Sequence, residues 1–196
     1  MKNIERYYDN TESDKPRNNI EYFINEVKCN PGKAIELGCG AGNDTVYLIK
    51  NNWNILAIDR EDIEKRILNR LSQREIEKFR FQIQSFENLK LEKSDLIIAN
   101  YCLPFCNKDR FEDLWNKIKE SILCNGYFVG NFFGINDSWN KTKPEMVFLS
   151  KEQVIELFKD FEIIRFKEIE KDALTGLGKM KHWHIFDVIA SNRIKE

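Results

Sequence analysis

Residues 34–45 read AIELGCGAGNDT, a sequence in which three glycines alternate with other residues. Residues 34–37 are predicted to form a short strand and residues 44–50 a helix, with a glycine at every second position of the loop between them. Such glycines let the backbone approach a ligand closely and adopt positive φ without steric cost from a Cβ atom. The loop is therefore either a ligand-binding turn or a tight turn with packing glycines.

The spacing of the glycines argues against a nicotinamide oxidoreductase. A dinucleotide-binding fingerprint, G-x-G-x-x-G, would need a glycine at position 43, where this chain has Asn43. The chain instead carries Gly38, Gly40 and Gly42, preceded by the acidic residue Glu36.

A second acidic residue, Asp59, closes the next predicted strand, 53–58. At the carboxyl end of a strand beside the glycine loop, a carboxylate can accept hydrogen bonds from both ribose hydroxyls of a nucleoside. Asp59 could also cap the helix predicted to follow it. Taken together, the glycine loop and Asp59 favour a cofactor that contains adenosine.

Strands and helices alternate along most of the chain. The predicted strands span 34–37, 53–58, 79–83, 95–99 and 127–133, and the predicted helices span 18–28, 44–50, 63–78 (with a break near Ser72), 109–122 and 150–159. Asn125-Gly126 is expected to end the fourth of these helices. Strands 161–166 and 185–190 are joined by a polar link without a helix, which predicts an antiparallel hairpin. The fold class is therefore α/β: a doubly wound, mostly parallel seven-stranded sheet that ends in an antiparallel β-hairpin.

Composition and charge argue against large anionic partners. The 196 residues include 31 basic and 32 acidic side chains, for a net charge of −1, and no sustained basic run marks a surface for nucleic acid. Met1–Arg6 is charged where a signal peptide needs an apolar core, and no stretch approaches the roughly 18 apolar residues of a membrane span. We therefore expect a cytoplasmic protein.

The five cysteines predict free thiols and no metal site. Their number is odd, their spacing contains no Cys-x-x-Cys motif, and the chain has only two histidines.

Several motifs resemble class I S-adenosylmethionine (SAM)-dependent methyltransferases, and in particular the small bacterial methyltransferases of the tellurite-resistance type. In addition to the acid-x-Gly-x-Gly-x-Gly loop, the shared motifs are Leu103-Pro104-Phe105, Phe133-Gly134, Asp137-Ser138-Trp139 and Lys181-His182-Trp183-His184. The resemblance implies one Rossmann-like methyltransferase domain over residues 1–196, with a helical lid over 1–30. It also implies SAM as cofactor, S-adenosylhomocysteine (SAH) as product and a small-molecule methyl acceptor.

The resemblance also implies where the cofactor binds. The implied cofactor-binding residues are Glu36, Gly38, Cys39, Gly40, Gly42, Asp59, Arg60, Ser85, Phe86 and Asn100. Where the family carries an acid that binds the adenine amino group, this chain has Gln84-Ser85-Phe86, so adenine recognition departs from the family pattern. Asn100 begins a segment that lacks both prolines of the Asn-Pro-Pro-Tyr signature, which argues against methylation of DNA bases.

The acceptor is expected at the carboxyl ends of the parallel strands. The histidines His182 and His184 and the residue Tyr101 are the candidate catalytic residues; the spacing of two places both histidines on one face of a strand. They could deprotonate or orient an acceptor, or they could satisfy backbone groups at the start of the strand.

Three further residues are candidate acceptor-binding residues. Phe105 and Trp139 could form, with Tyr101, an aromatic wall near the sulfonium, or they could be ordinary packing residues. Arg17 could meet the cofactor carboxylate or an anionic acceptor, or it could be solvated. Two other functions stay open: a SAM-binding regulator without catalysis, and an RNA-modifying methyltransferase, for which a basic face would be required.

Overall fold

The computed structural model describes residues 2–193, so Met1 and residues 194–196 of the predicted domain lie outside the described part. Seven strands are present: β1 Lys33–Leu37, β2 Asn54–Asp59, β3 Phe79–Ile83, β4 Ser94–Ala99, β5 Ile122–Phe133, β6 Glu162–Leu174 and β7 Met180–Ser191. The helices are α1 Lys2–Thr11, α2 Asn18–Tyr22 with a π-helical turn Phe23–Val27, α3 Asn43–Lys50, α4 Glu64–Leu68, α5 Gln73–Ile76, α6 Phe111–Ser121 and α7 Lys151–Leu157. Within residues 2–193, no helix combines the length and apolar character needed to cross a membrane.

The strands form one sheet in the order β3-β2-β1-β4-β5-β7-β6. Strands β1 to β5 pair with one another in parallel, whereas β7 is antiparallel to both β5 and β6. The predicted α/β class, the seven strands and the terminal hairpin are therefore confirmed. Because β7 runs in the opposite direction, its first residues lie at the same edge of the sheet as the carboxyl ends of the parallel strands.

The sheet is covered on both faces, which is why its central strands are almost entirely apolar. One face packs against α6 and α7 through an aromatic core that contains Trp115, Phe128, Phe132 and Phe158. The other face packs against α1 to α4. Side chains of β7 alternate between these faces, and this alternation decides which of its residues reach the candidate site.

The terminal hairpin is much longer than predicted. Its strands pair from Glu162 opposite Ser191 to Leu174 opposite Met180, so most of the supposed polar link is strand. Its charged residues are compatible with a strand because β6 is an edge strand, and exposed lysine and glutamate side chains protect such edges from further pairing.

The end of α6 and the start of α5 can be compared with the predicted helix boundaries. α6 ends at Ser121, and Asn125 lies inside β5 in the left-handed conformation (φ 62°), so Asn125-Gly126 does not end the helix. The predicted break near Ser72 is present, since a capping box at Ser72 starts α5.

Candidate cofactor and acceptor site

The glycine loop between β1 and α3 has a shape that requires its glycines. Gly38, Gly40 and Gly42 have φ values of +60°, +55° and +76°. A Cβ atom on Gly38 would lie 2.5 Å from the Cβ of Cys102, and one on Gly42 would lie 2.4 Å from the side chain of Ile67. Both neighbours are buried, so larger residues at these two positions would displace the core beneath the loop.

Asp59, at the end of β2, is hydrogen-bonded to this loop. One carboxylate oxygen accepts the Gly40 N–H at 2.9 Å, and the other accepts the Glu61 N–H at 3.1 Å and the Tyr8 hydroxyl at 3.4 Å. Burial raises the pKa of Asp59, and the backbone hydrogen bonds oppose that rise. Asp59 does not cap a helix, because α4 begins only at Glu64.

Two more carboxylates are buried under the loop. Glu36 accepts a hydrogen bond from the Thr45 hydroxyl, and burial, together with the nearby Asp44, raises the pKa of Glu36 well above its usual range. Asp44 accepts the Arg17 N–H at 2.7 Å and the Asn100 side-chain amide at 2.8 Å. Burial also raises the pKa of Asp44.

Cys39 is buried in the same loop. Burial raises the pKa of its thiol well above the usual range, and the nearby Glu36 carboxylate acts in the same direction. Both effects disfavour the thiolate, which is the reactive form of cysteine, and the predicted cofactor contact of Cys39 stays a prediction.

The helix α1 lies over the glycine loop. The Tyr7 ring lies beside Gly40, since a Cβ atom placed on this glycine would lie 3.8 Å from the ring. Tyr8 is buried and its hydroxyl faces Asp59. At its other side, α1 is joined to α4 by Arg66, whose guanidinium pairs with an Asp9 carboxylate oxygen at 2.8 Å and with one of Glu12 at 3.0 Å. Polar contacts on both sides therefore hold the N-terminal helix across the loop.

The segment after β3 presents one unsatisfied polar atom. The Gln84 side-chain nitrogen donates to the Asn88 carbonyl at 2.6 Å, while its Oε1 atom is buried and has no hydrogen-bond partner among residues 2–193. Phe86 is half-buried against the core, and Ser85 is exposed. Arg60, predicted to bind cofactor, is 71% exposed at its side chain and lies 3.6 Å from a Glu61 carboxylate oxygen.

An aromatic cluster follows β4 and β5 at the same edge of the sheet. The structure brings together the predicted Tyr101, Phe105 and Trp139 and adds Trp183, which was not predicted. The guanidinium of Arg17, another predicted residue, lies over the Tyr101 ring, 4.7 Å from its centroid. We call Tyr101, Phe105, Trp139 and Trp183 the aromatic wall.

A buried lysine lies behind the aromatic wall. The Lys181 ammonium group forms an ion pair with the fully buried carboxylate of Asp137 and lies 3.7 Å from the Trp183 centroid and 4.5 Å from that of Trp139. Burial lowers the pKa of Lys181, and the hydrogen bond to Asp137 opposes this. Asp137 also accepts the Trp139 N–H at 3.0 Å, so one carboxylate fixes both Lys181 and the turn that carries Trp139.

The two histidines do share one face of β7, but this face is turned away from the aromatic wall. His182 lies within 2.8 Å of an Asp172 carboxylate oxygen and 3.1 Å of one of Glu170, both on β6. His184 is buried against Phe186, on the side of the sheet that α6 and α7 cover. Their neighbours in sequence, Lys181 and Trp183, occupy the face toward Tyr101. The histidines therefore lie on the face of β7 opposite to the one that contacts the aromatic wall, and their catalytic role stays a prediction.

Side-chain atoms of Glu168, Glu170 and His184 lie within 4.8 Å of one another, which is close enough for a metal site. However, the Nδ1 atom of His184 accepts the Asn136 N–H at 3.1 Å, so in the neutral ring the proton is on Nε2 and points to Glu168 at 3.2 Å. A nitrogen that carries a proton cannot ligate a metal. The three residues are therefore assigned to a hydrogen-bonded group.

Comparison with known proteins gives the family. A family model described as "Tellurite resistance protein TehB" matches residues 4–177. This chain belongs to the TehB family. Two curated proteins from Haemophilus influenzae strains, each named a probable S-adenosyl-L-methionine-dependent methyltransferase TehB, are 21% and 20% identical to it over 139 residues. The match covers 70% of this chain and 49% of each relative, so the chain spans about half the length of the curated relatives it matches.

Solved structures agree with TehB-family membership at the level of the fold. The crystal structure of TehB from Haemophilus influenzae matches with a TM-score of 0.77 at 17% identity, covering 93% of this chain and 64% of that one. A 1,6-didemethyltoxoflavin-N1-methyltransferase from Burkholderia thailandensis, with SAH bound, matches with a TM-score of 0.71 at 18% identity, covering 98% and 86% of the two chains. The N-methyltransferase NodS from Bradyrhizobium japonicum, also with SAH, gives 0.68 at 14% identity, covering 97% of each chain. The predicted Rossmann-like methyltransferase fold is confirmed.

Proposed function

We propose that this chain binds SAM at the glycine loop and transfers its methyl group to a small-molecule acceptor. The observation that carries the proposal is the contact between Asp59 and Gly40: a buried carboxylate at the end of β2 is held 2.9 Å from the backbone of a loop with three positive-φ glycines. Membership of the TehB family and the names of its curated relatives support the same function.

The residues present fit the nucleoside part of SAM. Asp59 would accept hydrogen bonds from the ribose hydroxyls in place of the one from Tyr8. The unpartnered Oε1 atom of Gln84 would accept from the adenine amino group, where other family members use an acid, and Phe86 would cover the face of the ring. Arg60 and Ser85 are left without a direct contact in this proposal, because both side chains are exposed.

The methionine part would lie over Gly38, Gly40 and Gly42, with Glu36 buried beneath and Asn100 alongside. Arg17, whose guanidinium lies over Tyr101 of the aromatic wall, is positioned to meet a carboxylate.

When bound, SAM supplies a methyl group activated by its sulfonium. The contribution of the chain is alignment of the acceptor and exclusion of water, which methyl transfer requires more than strong acid–base groups. The aromatic wall would attract the sulfonium and position the acceptor, and residues 1–30 would act as the lid, with Tyr7 and Tyr8 of α1 facing the loop.

The acceptor is proposed to be a small molecule, as the name of one structural neighbour, a 1,6-didemethyltoxoflavin-N1-methyltransferase, says of that protein. The test is a screen of small acceptors, with tellurite and selenite included, that measures SAH release, using Asp59→Ala as the negative control. SAH release above that of the control supports methyl transfer. Tight SAM binding without release on any acceptor would instead indicate a non-catalytic regulator, and release only with RNA would overturn the small-molecule assignment.

A further inference from the structure

The candidate cofactor site contains three buried carboxyl groups that are not paired with a cationic side chain of the described residues. Glu36, Asp44 and Asp59 are only 3%, 5% and 8% exposed. Within the described residues, no side-chain nitrogen of lysine, arginine or histidine lies within 4.0 Å of their carboxylate oxygens. A buried carboxylate without a cation is costly, so a ligand that brings positive charge would bind here with a large advantage.

The three carboxylates are not equally available to such a ligand. Glu36 is covered by the loop and bonded to Thr45, and Asp59 is engaged by the backbone of Gly40 on the ribose side. Asp44 differs, because it lies in the first turn of α3, just after the last glycine of the loop, and is bonded to Asn100, the residue before Tyr101 of the aromatic wall. It therefore connects the end of the loop to the wall.

The carboxylate of Asp44 is held in place and still has acceptor capacity. Each oxygen receives one hydrogen bond, from the Arg17 N–H at 2.7 Å and from the Asn100 side chain at 2.8 Å. An ionised carboxylate offers about four acceptor positions, so two are left. The donors come from two separate segments, one after β4 and one before α2, which fixes the orientation of the group.

We propose that Asp44 binds the α-ammonium group of the cofactor's methionine end and so selects ligands that carry an amino-acid end. This inference rests on the proposed function, because it concerns the same cofactor. Arg17 is adjacent to the same carboxylate, because its backbone N–H bonds to Asp44, and its guanidinium lies over Tyr101. An ammonium at Asp44 and a carboxylate at Arg17 match the two charges of a zwitterion.

If Asp44 had a purely structural role, as a link between three segments, a different result would be expected. Its loss would then weaken the binding of every ligand of the site equally. Asn is the appropriate replacement, because its side-chain oxygen keeps the shape and one acceptor while the charge is removed.

The experiment is calorimetric titration of the full chain with SAH and with its analogue that lacks the α-amino group but keeps the carboxylate. The wild type is expected to bind SAH at least about tenfold more tightly than the analogue, because a hydrogen bond between charged groups is lost with the amine. Asp44→Asn is expected to weaken SAH at least about tenfold and to leave the analogue within about twofold to threefold. The matched control is Asp62→Asn, which neutralises an exposed carboxylate near α4 and should change neither affinity.

Three results would overturn the assignment: wild-type affinity of Asp44→Asn for SAH, equal weakening of both ligands, or equal affinity of the wild type for SAH and the analogue. The last comparison uses only the wild type, so it tests the assignment even if Asp44→Asn does not fold. Thermal unfolding of Asp44→Asn shows whether that variant is folded. A wild type that binds SAH but shows no selectivity refutes only the role of Asp44. A wild type that binds neither SAM nor SAH refutes the proposed function as well.

Discussion

The rings of Tyr101 and Trp183 are perpendicular, with centroids 5.8 Å apart. This contact shows which face of β7 reaches the candidate site, because Tyr101 follows β4 at the edge where the glycine loop also lies. In a strand, neighbouring side chains point to opposite faces, so the contact of Trp183 with Tyr101 excludes His182 and His184 from the same face.

The buried pair of Lys181 and Asp137 should show strong energetic coupling. Removing one partner leaves an uncompensated buried charge, so Lys181→Met is expected to lower the free energy of unfolding by about 3–5 kcal/mol. Asp137→Asn should also destabilise, and the double variant should lose clearly less than the sum of the two. Urea unfolding of the four proteins measures this, and additive losses would show that the ion pair is not the coupled unit.

Gly40→Ala and Gly178→Ala separate backbone strain from cofactor binding. Both glycines have positive φ, +55° and +76°, and a Cβ atom at either would meet no group closer than 3.8 Å. Each alanine should therefore cost about 1–2 kcal/mol of stability through left-handed strain alone. Only Gly40→Ala, at the loop over which SAM is proposed to lie, should also weaken SAH binding in calorimetry. Equal SAH affinity of the two variants would remove Gly40 from the site.

Asp59→Ala should weaken SAH binding at least about tenfold, because the proposed ribose hydrogen bonds go to a charged acceptor. The variant also loses the bond from the Gly40 N–H, so its thermal unfolding must be measured beside its affinity. Asp62→Asn serves as the control for charge. A folded Asp59→Ala protein with unchanged SAH affinity would contradict the assignment.

His182 should make stability depend on pH. Hydrogen bonds to Glu170 and then Asp172 raise the pKa of His182 in the folded protein above the ordinary value of 6.5. Its stabilising contribution is therefore fully present below that ordinary value and is lost as the pH rises through the higher folded one. The stability difference between wild type and His182→Gln should be larger at about pH 5.5 than at about pH 9 in urea unfolding. A pH-independent difference would mean that the ion pairs with β6 do not form in solution.

The fold could be predicted largely because its signals are local. The glycine loop, the acid at the end of β2 and the buried apolar β4 each depend on a few neighbouring residues, and their positions were confirmed. The hairpin was predicted too short, because the charged stretch after Phe166 has the composition of a loop, and only its position at the sheet edge makes it a strand.

The site was harder to predict, because it depends on which side chains share a face. The alternation along β7 separates His182 from Trp183, but a sequence cannot say which of the two faces meets Tyr101. Likewise, Asp44 carries no motif of its own. Its position became evident only when Arg17 and Asn100, distant in sequence, were seen to donate to the same carboxylate.

Thermal unfolding with added ligand tests the central claim most directly. We predict that SAH raises the unfolding temperature of the full chain in a saturable way, because a ligand that binds only the folded state stabilises it, and that NAD at the same concentrations has no effect. Stabilisation by NAD, or no stabilisation by either SAH or SAM, would contradict the assignment of the glycine loop and Asp59 to a SAM site.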